Sequence, residues 1–313
     1  MTILQRSIFR TARAALTAAT VSACAHGGNQ PAPSARAPAA IDAIDAIVAR
    51  VSETPGAVVR VAAYRLDGLG PRITLLGDSL VHAASTMKVP VLLALAQRAD
   101  RRLLNLDATM PLTNRFSSIV DQSPYSLDRA DDSDDSVYAH IGESVPIRWL
   151  ATRMITHSSN LATNTLLTVV APDSVTALTR TLGTTRMLVR RGVEDNPAFR
   201  AGLNNVTTAS DLAALLAAIA TDRAASPSAC RWMRDVLLAQ AFNSAIPAGL
   251  PAGTRVAHKT GDITRVEHDA GIVYPARGAP YVLVVLTSGI ESQASARRLI
   301  ADIARIVHAA ISR

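Results

Sequence analysis

The spacing of apolar residues along the chain changes period several times, and each change marks a new kind of element. Near the start, residues 41–53 place apolar side chains every three or four positions, which predicts an amphipathic helix. Two strand-like apolar runs follow at 56–68 and 72–78, and the turn between them is rich in glycine. This order predicts a helix that leads into a β-hairpin.

Beyond residue 84 the period is mostly helical, and strand signals return at 254–289, before a final helix at 292–313. The pattern predicts an α/β (α+β) fold in which both ends of the chain build one antiparallel sheet flanked by helices. We expect a sheet subdomain of about residues 41–84 and 250–313. An all-helical subdomain of about residues 85–249 is inserted between these two parts.

Residues 1–23 have a basic start, a short apolar middle and small residues before Cys24. This pattern is typical of an export signal, because a membrane span needs about 20 apolar residues. The letters TVSAC resemble a bacterial lipobox, so we expect a lipid-anchored protein of the periplasm or cell envelope; a signal cut elsewhere is the alternative. Residues 24–40 are then a Pro/Ala/Ser-rich tether, and Cys230 has no partner for an intradomain disulfide.

Composition narrows the class of protein. Hydrophobic residues make up 49% of the 313 residues and charged residues 18%, which favours a packed globular chain over a disordered one. Aromatic residues are only 4% and no run of five Lys or Arg occurs, so the net charge of +7 indicates a basic surface and no nucleic-acid partner. Lysine occurs only at Lys88 and Lys259, and every other basic residue among the 32 is arginine.

Each lysine lies in a pattern where an amine offers chemistry that a permanently charged guanidinium lacks. Ser85 precedes Lys88 by three positions at a predicted helix start, so the hydroxyl and the amine share one helix face within hydrogen-bond reach. A lysine with a lowered pKa can take the proton of a serine and make it a nucleophile. The first helical turn also offers N–H groups to an oxyanion. A chance Ser-x-x-Lys is the alternative.

Two further short motifs carry candidate site residues. Lys259 is followed by Thr260 and Gly261 at the end of an edge-like strand, where an ammonium and a hydroxyl can bind a carboxylate and glycine permits close approach. Ser158 and Asn160 precede an apolar helix, and their side chains suit a proton relay and a partner for a substrate amide. A simple helix cap is the alternative for this Ser-x-Asn segment.

Together, STMK, SSN and KTG in this order resemble the active-site set of class A β-lactamases and penicillin-binding proteins, over most of residues 41–313. The resemblance implies that Ser85 is the acylated nucleophile and that Lys88 activates it. Ser158 would give a proton to the leaving β-lactam nitrogen, and Asn160 would hold the side-chain amide of the substrate. No metal or organic cofactor is implied.

The resemblance also assigns the substrate carboxylate to Lys259 and Thr260, with Gly261 beside them. It implies an oxyanion hole formed by the backbone N–H groups of Ser85 and Asp262.

Deacylation by water requires a carboxylate in the loop after the Ser-x-Asn helix, and Glu194 is the candidate general base. Glu194 follows Ser158 by 36 positions, the spacing that the class A family shows between these roles. Asp195 is an adjacent competitor, and a solvated loop acid is the alternative for Glu194. Asn196 is a candidate partner for the water.

The chain also departs from the class A pattern. Ser159 stands where class A enzymes usually have aspartate, and residues 123–143 lengthen the interval between the nucleophile and Ser-x-Asn. Arg265 is the candidate for the second carboxylate-binding cation. These departures indicate a divergent branch of the superfamily.

Two groups of residues suggest a metal and are set aside. The acidic loop lacks the sixth-position glycine of an EF-hand, so a solvated loop is expected. The histidines lack the spacing of metal ligands and are expected to be structural. The acidic loop contains Asp131, Asp132, Asp134 and Asp135, and the histidines are His157, His258 and His268.

The sequence thus predicts a monomeric, exported serine hydrolase of class A β-lactamase type that opens β-lactams through an acyl-enzyme on Ser85. Its membrane contact is expected only through a lipid on Cys24. A D-alanyl-D-alanine carboxypeptidase or transpeptidase that acts on cell-wall peptides is the first alternative. A non-catalytic envelope lipoprotein that uses the same cleft for binding is the second.

Overall fold

The computed structural model describes residues 36–312. The predicted export signal, Cys24 and the tether up to residue 35 lie outside the described residues. The helices are α1 (Arg36–Ser52), α2 (Lys88–Asp100), α3 (Asp135–Tyr138), α4 (Ile147–Thr156), α5 (Asn160–Leu167), α6 (Pro172–Thr181), α7 (Asn196–Arg200), α8 (Ala209–Ala220), α9 (Pro227–Leu238) and α10 (Gln293–Ile311). The strands are β1 (Val58–Arg65), β2 (Ile73–Leu75), β3 (Val81–His82), β4 (Thr109–Pro111), β5 (Phe116–Ser117), β6 (Pro124–Tyr125), β7 (Ser144–Pro146), β8 (Val206–Thr207), β9 (Arg255–Ile263), β10 (Val266–Tyr274) and β11 (Tyr281–Ser288).

One antiparallel sheet of five strands has the order β2-β1-β11-β10-β9. Strand β1 pairs with β11 along its whole length, from Val58 opposite Ser288 to Arg65 opposite Tyr281. The first hairpin and the last three strands therefore form one sheet, and β9 lies at its edge. The predicted fold, with a sheet built from both chain ends and helices around it, is confirmed.

The two faces of the sheet bury alternate residues in two apolar clusters, as the two-residue period of a strand requires. On β1, Val61 and Ala63 pack with residues of α1 and α10. Ala62, between them, faces the larger cluster, which contains residues of α2, α4, α8 and α9. Each fully buried Val or Leu in such a cluster stabilises the fold by about 1.5–3 kcal/mol.

The helical part is not separated from the sheet, because α8 packs directly on β1, β10 and β11. The limits between the sheet subdomain and the helical subdomain, given above from the sequence, therefore stay a prediction. Within residues 36–312, no helix is both long enough and apolar enough to cross a membrane.

Three segments bring the candidate residues together. A short 3-10 helix, Ala84–Met87, leads into α2 and packs against the edge strand β9. The segment before α5 approaches the start of α2 from the other side, and the loop before α7 closes over this junction.

Candidate active site

The amine of Lys88 is fully buried at the start of α2 and contacts the Ser-x-Asn segment. Lys88 Nζ donates to Ser158 O at 2.5 Å, to Asn160 Oδ1 at 2.8 Å and to Ser158 Oγ at 3.2 Å. Burial lowers the pKa of Lys88 to about 7. Three carboxylates oppose this shift: those of Asp132, Asp262 and Glu194. Near neutral pH the amine can therefore both take and give a proton.

The second lysine meets the first through one hydroxyl. Lys259 Nζ is fully buried and donates to Ser158 Oγ at 3.0 Å and to Thr260 O at 2.8 Å. Burial, and then the charge of Lys88, lower the pKa of Lys259. Ser158 Oγ thus lies between two amines whose simultaneous protonation is unfavourable. A hydroxyl can accept from one amine and donate to the other, which is the arrangement of a proton relay.

Ser85 lies half-buried in the 3-10 helix. The hydrogen bonding of its hydroxyl differs from what the Ser-x-x-Lys spacing predicts. Among the described residues, Ser85 Oγ makes no hydrogen bond with Lys88 Nζ. The amine instead satisfies its three donors with acceptors before and at the start of α5. The i, i+3 spacing still puts both groups on the same side of the turn.

Gly261 brings the edge strand into close contact with the nucleophile segment. A Cβ atom built on Gly261 would lie 2.9 Å from both Ser85 N and Thr86 N, and 3.3 Å from Ala84 Cβ. Glycine was expected here to let a substrate approach the backbone. The structure shows that the backbone of the 3-10 helix is what approaches.

Three non-glycine residues of this junction have positive φ. Ala84 has φ 45°, Ser158 has φ 59° and Glu194 has φ 60°. Such conformations cost about 1–3 kcal/mol each and persist only where the surroundings hold them. Each of the three adjoins or is a candidate catalytic residue, so part of the folding free energy is used to hold this geometry.

The segment before α5 is capped by two side chains. Ser159 is the N-cap residue and its Oγ accepts from Ala162 N at 3.2 Å. Asp132 Oδ2 accepts from Asn160 N and Leu161 N, both at 2.9 Å. The cap that was the alternative for Ser-x-Asn is thus present, but Ser159 and Asp132 provide it, and Ser158 Oγ remains available to the lysines.

The acidic loop is not simply solvated, which corrects the sequence interpretation. Asp134 is 3% exposed. Its carboxylate accepts two hydrogen bonds from the guanidinium of Arg153, at 2.6 and 2.7 Å. It also caps α3 by accepting from Ser136 N. Within residues 36–312 no group of His, Cys, Asp and Glu is arranged to hold a metal ion.

Glu194 lies beside Asn160, in the loop before α7. Glu194 Oε1 accepts from Asn160 Nδ2, and Oε2 accepts from Asp128 N, each at 3.4 Å. Burial raises the pKa of Glu194, and these two hydrogen bonds partly oppose the shift. A carboxylate with a raised pKa is a better proton acceptor near neutral pH than an ordinary glutamate.

The adjacent Asp195 has a structural task. It is fully buried, caps α7 through Ala198 N at 3.1 Å and accepts from Ser118 Oγ at 2.7 Å and Ile119 N at 3.0 Å. These contacts leave Glu194 as the carboxylate that faces the cleft. Asn196 is exposed and lines the same cavity as Glu194.

Asn164, which none of the three motifs contains, anchors the loop of Glu194. Asn164 Oδ1 accepts from Val193 N at 2.7 Å, and its Nδ2 donates to Val193 O at 2.9 Å. Asn164 follows Asn160 by four positions, so the two amides share one face of α5. That spacing was a usable signal, because the next helical turn must face the same cleft.

Two cavities meet at Ser85. One, of about 480 Å³, lies between the Ser-x-Asn segment and β9 and is lined by Ser85, Ser158, Asn160, Thr260 and Asp262. The other, of about 550 Å³, extends to Glu194. All nine candidate residues therefore lie at one site. The two lysines are buried beneath the residues that line the cavities, and Gly261 packs against the segment of Ser85.

The candidate second cation lies elsewhere. Arg265 is at the exposed tip of the β9–β10 hairpin, where it pairs with Glu291 at 3.2 Å and donates to Gly289 O at 3.2 Å. Arg297 of α10 lines the cavity instead, and its Nε donates to Glu267 Oε1 at 3.0 Å. No spacing in the sequence indicates Arg297, because the packing of α10 on the sheet decides which of its residues reach the cavity.

A buried histidine supports the opposite wall of the cavity. His258 Nδ1 lies 2.8 Å from Asp269 Oδ1, and its Nε2 lies 3.2 Å from Asn243 Oδ1. Asp269 Oδ2 accepts from Ile246 N at 2.9 Å. Asn243 lines the cavity, so the expected structural role of His258 is to hold this wall against the strand of Lys259.

Known proteins resemble this chain in both sequence and fold. The model of the Beta-lactamase2 family, a β-lactamase enzyme family, matches residues 39–311. Beta-lactamase CTX-M-6 of Salmonella typhimurium is 28% identical over 243 residues, which are 75% of this chain and 78% of that protein. A β-lactamase of Rhodobacter capsulatus is 25% identical over 278 residues, 87% of this chain and 89% of that protein.

Solved structures of related proteins have a similar fold. A mutant of the class A β-lactamase of the last common ancestor of Gram-negative bacteria superposes with a TM-score of 0.74 and 25% identity, covering 86% of this chain and 98% of that one. PBP-A superposes with a TM-score of 0.73 and 25% identity, covering 86% and 95%. A PBP-A mutant has been solved as an acyl-enzyme complex with penicillin G. With a family model that covers most of its length, this chain belongs to the β-lactamase enzyme family and is a serine hydrolase of class A β-lactamase type.

Proposed function

We propose that this hydrolase opens the β-lactam ring through an acyl-enzyme on Ser85 and releases the product with a water that Glu194 activates. One observation supports this most: Ser158 Oγ lies within 3.2 Å of Lys88 Nζ and 3.0 Å of Lys259 Nζ, on the wall of a cavity that Ser85 shares. A hydroxyl between two amines is suited to give a proton to a leaving nitrogen.

In acylation, Ser85 Oγ attacks the lactam carbonyl carbon and its proton passes to Lys88 Nζ. The C–N bond breaks, the nitrogen takes a proton from Ser158 Oγ, and the Lys88 ammonium restores that proton. The N–H groups of Ser85 and Asp262 hold the oxyanion. Catalytic hydrogen bonds commonly tighten only when substrate is bound, so a missing Ser85–Lys88 bond is compatible with this step.

The substrate is held at both ends of the cavity. Asn160 receives its side-chain amide. Thr260, which lines the cavity, and Lys259, buried beneath, receive its carboxylate. An anion at this place favours the ammonium form of Lys259, because opposite charges at close range offset the effect of burial. Gly261 keeps the oxyanion donors in position, because nothing larger fits against Ser85 N.

In deacylation, Glu194 takes a proton from a water whose oxygen attacks the ester carbon. The ester C–O bond breaks, and Ser85 Oγ regains a proton from Glu194 by way of Lys88. The route is short, since Asn160 contacts both Lys88 and Glu194. Asp195 takes no part in this step, because its carboxylate is occupied in capping α7.

Turnover of nitrocefin by the purified protein tests this proposal. Steady hydrolysis is expected, with none from Ser85→Ala. Glu194→Ala is expected to accumulate a penicilloyl adduct that intact-protein mass spectrometry detects. Wild-type turnover by Glu194→Ala would contradict the role of Glu194, and turnover by Ser85→Ala would contradict the acyl-enzyme.

A D-alanyl-D-alanine peptidase is the second candidate. It is favoured by the likeness to PBP-A and by the long contacts of Glu194, both at 3.4 Å. A single-turnover burst with nitrocefin, together with release of D-alanine from an acyl-D-Ala-D-Ala peptide, would support this candidate over the lactamase.

We further propose that the protein is exported to the periplasm or cell envelope, anchored by a lipid on Cys24, and monomeric. The support is the sequence pattern of residues 1–24. Incorporation of labelled fatty acid into the wild type but not into Cys24→Ser tests the anchor. Light scattering of the purified protein tests the oligomeric state, and a mass of two chains would contradict it.

A further inference from the structure

The Ser-x-Asn segment has Ser159 at its centre, where class A enzymes usually have aspartate. A carboxylate still reaches this segment, but it belongs to Asp132, in a loop 28 residues before Asn160. We propose that Asp132 is a positioning residue for acylation, whose carboxylate fixes Ser158 and Asn160 against Lys88. Asp132 neither lines the cavity with Ser85 nor contacts the lysine amine, so it acts through the backbone of this segment. The inference rests on the proposed function.

One carboxylate oxygen of Asp132, Oδ2, contacts the start of α5, while the other, Oδ1, accepts from Asp134 N at 3.1 Å within its own loop. Its Oδ2 accepts from Asn160 N at 2.9 Å, from Leu161 N at 2.9 Å and from Ser159 Oγ at 3.3 Å. The first N–H groups of a helix have no acceptor within the helix, and a negative charge is favourable there. Ser159 satisfies only Ala162 N, so removal of Asp132 leaves two of these donors without a partner.

The same residues hold the catalytic amine. Ser158 O, Ser158 Oγ and Asn160 Oδ1 are the three acceptors of Lys88 Nζ. Ser158 has φ 59°, a conformation that relaxes when its surroundings loosen. A shift of Asn160 N therefore moves every partner of the amine at once.

Asp132 also acts on Lys88 by charge. It is the first of three carboxylates that raise the pKa of Lys88 against burial, with Asp262 and Glu194 as the others, while Lys259 lies on the far side of Ser158. Loss of the Asp132 charge favours the neutral amine and lowers the pKa of Lys88 below about 7. The acid limb of the acylation rate, where Lys88 becomes protonated, then moves to lower pH.

The test compares Asp132→Ala and Asp132→Asn with Asp135→Ala. Asp135 is the first residue of α3, three positions after Asp132, and its carboxylate pairs on the surface with Arg129. Acylation by a fluorescent penicillin is measured by stopped flow from pH 5 to 9. Asp132→Ala is expected to acylate roughly 10- to 100-fold more slowly, the effect of a displacement below 1 Å at a reacting group. Both Asp132 variants are expected to shift the acid limb downward, and Asp135→Ala to match the wild type.

A rescue variant separates positioning from general stability. Asp132→Ala combined with Ser159→Asp returns a carboxylate to the helix start and is expected to recover at least half of the lost rate on a logarithmic scale. NMR of isotope-labelled lysine measures the pKa of Lys88 independently of catalytic activity. The spectrum is simple to assign, because the chain has only two lysines. This pKa is expected to fall in both Asp132 variants.

Unchanged acylation and an unchanged Lys88 pKa in Asp132→Ala would overturn the inference. Equal rate losses in Asp132→Ala and Asp135→Ala, or a loss that Ser159→Asp fails to recover, would overturn it as well. Absence of acylation in the wild type contradicts the proposed function alone, because a lowered Lys88 pKa in the Asp132 variants still supports the coupling.

Discussion

The contact between Gly261 and the nucleophile segment makes Gly261→Ala a direct probe of the oxyanion hole. The added methyl group would lie 2.9 Å from Ser85 N and Thr86 N, whereas ordinary contacts of this kind are about 3.5 Å. The edge strand and the 3-10 helix must therefore separate by about 0.6 Å, the difference between these two distances. Overpacking of this size costs about 1–3 kcal/mol of unfolding free energy.

The separation also acts on chemistry. The two proposed oxyanion donors, Ser85 N–H and Asp262 N–H, lie on the two segments that move apart. Since a misplacement of about 1 Å can cost 100-fold in rate, we expect acylation of Gly261→Ala to be slower by roughly 10- to 100-fold. The binding of substrate before acylation changes less, because Asn160 lies on α5, outside the two segments that separate.

Stopped-flow acylation and urea unfolding measure the two effects on the same sample. Gly278→Ala is the matched control: Gly278 has φ 90° and open space around it, and it lies in the turn between β10 and β11, beyond the end of β10 opposite to Glu267. The control loses about 1–2 kcal/mol through backbone strain alone, and its acylation rate should equal that of the wild type. Wild-type acylation by a folded Gly261→Ala would refute the assignment of the oxyanion donors.

Three other predictions concern the buried groups around the site. Because the pKa of Lys88 is about 7 and the neutral amine is the base, the acylation rate should rise with pH and level off above about 7; a flat stopped-flow profile from pH 5 to 9 would contradict this. Arg153→Ala leaves the carboxylate of Asp134 buried without its partner, so urea unfolding should show a loss of about 3 kcal/mol, and a loss below 1 kcal/mol would contradict the pairing. Asn164→Ala removes both hydrogen bonds to Val193 and should slow release of the penicilloyl adduct more than its formation, which mass spectrometry over time distinguishes; equal slowing of both steps would contradict a specific role in the loop.

Local patterns in the sequence predict the sheet, the helices and the three motifs, because each depends on short-range spacing. The period of apolar residues indicates which segments are strands, and β9 is at the sheet edge as expected for the strand of Lys259. The arginine bias of the chain added an independent signal, since Lys88 and Lys259 remain lysine where an amine that can lose a proton is needed.

The remaining features depend on contacts between distant segments. Nothing near Asp132 in the sequence indicates that its carboxylate caps a helix 28 positions later. Likewise, no spacing shows that Arg297 and not Arg265 reaches the cavity, because packing of α10 on the sheet decides this. The missing Ser85–Lys88 hydrogen bond follows from competition among acceptors, because Lys88 Nζ donates instead to Ser158 and Asn160, which are 70 or more positions away in the sequence.

The pairing of β1 with β11 has a consequence for how the chain folds. The strand that joins the first hairpin to the rest of the sheet is β11, which begins at Tyr281, far along the chain from the end of β1 at Arg65. Without β11, one edge of β1 has no strand partner, and the β9–β10 hairpin that carries Lys259 has no connection to the first hairpin within the sheet. The junction of Lys88 and Lys259 therefore depends on a strand pairing between distant segments, and such long-range pairing forms slowly because a long loop must close first.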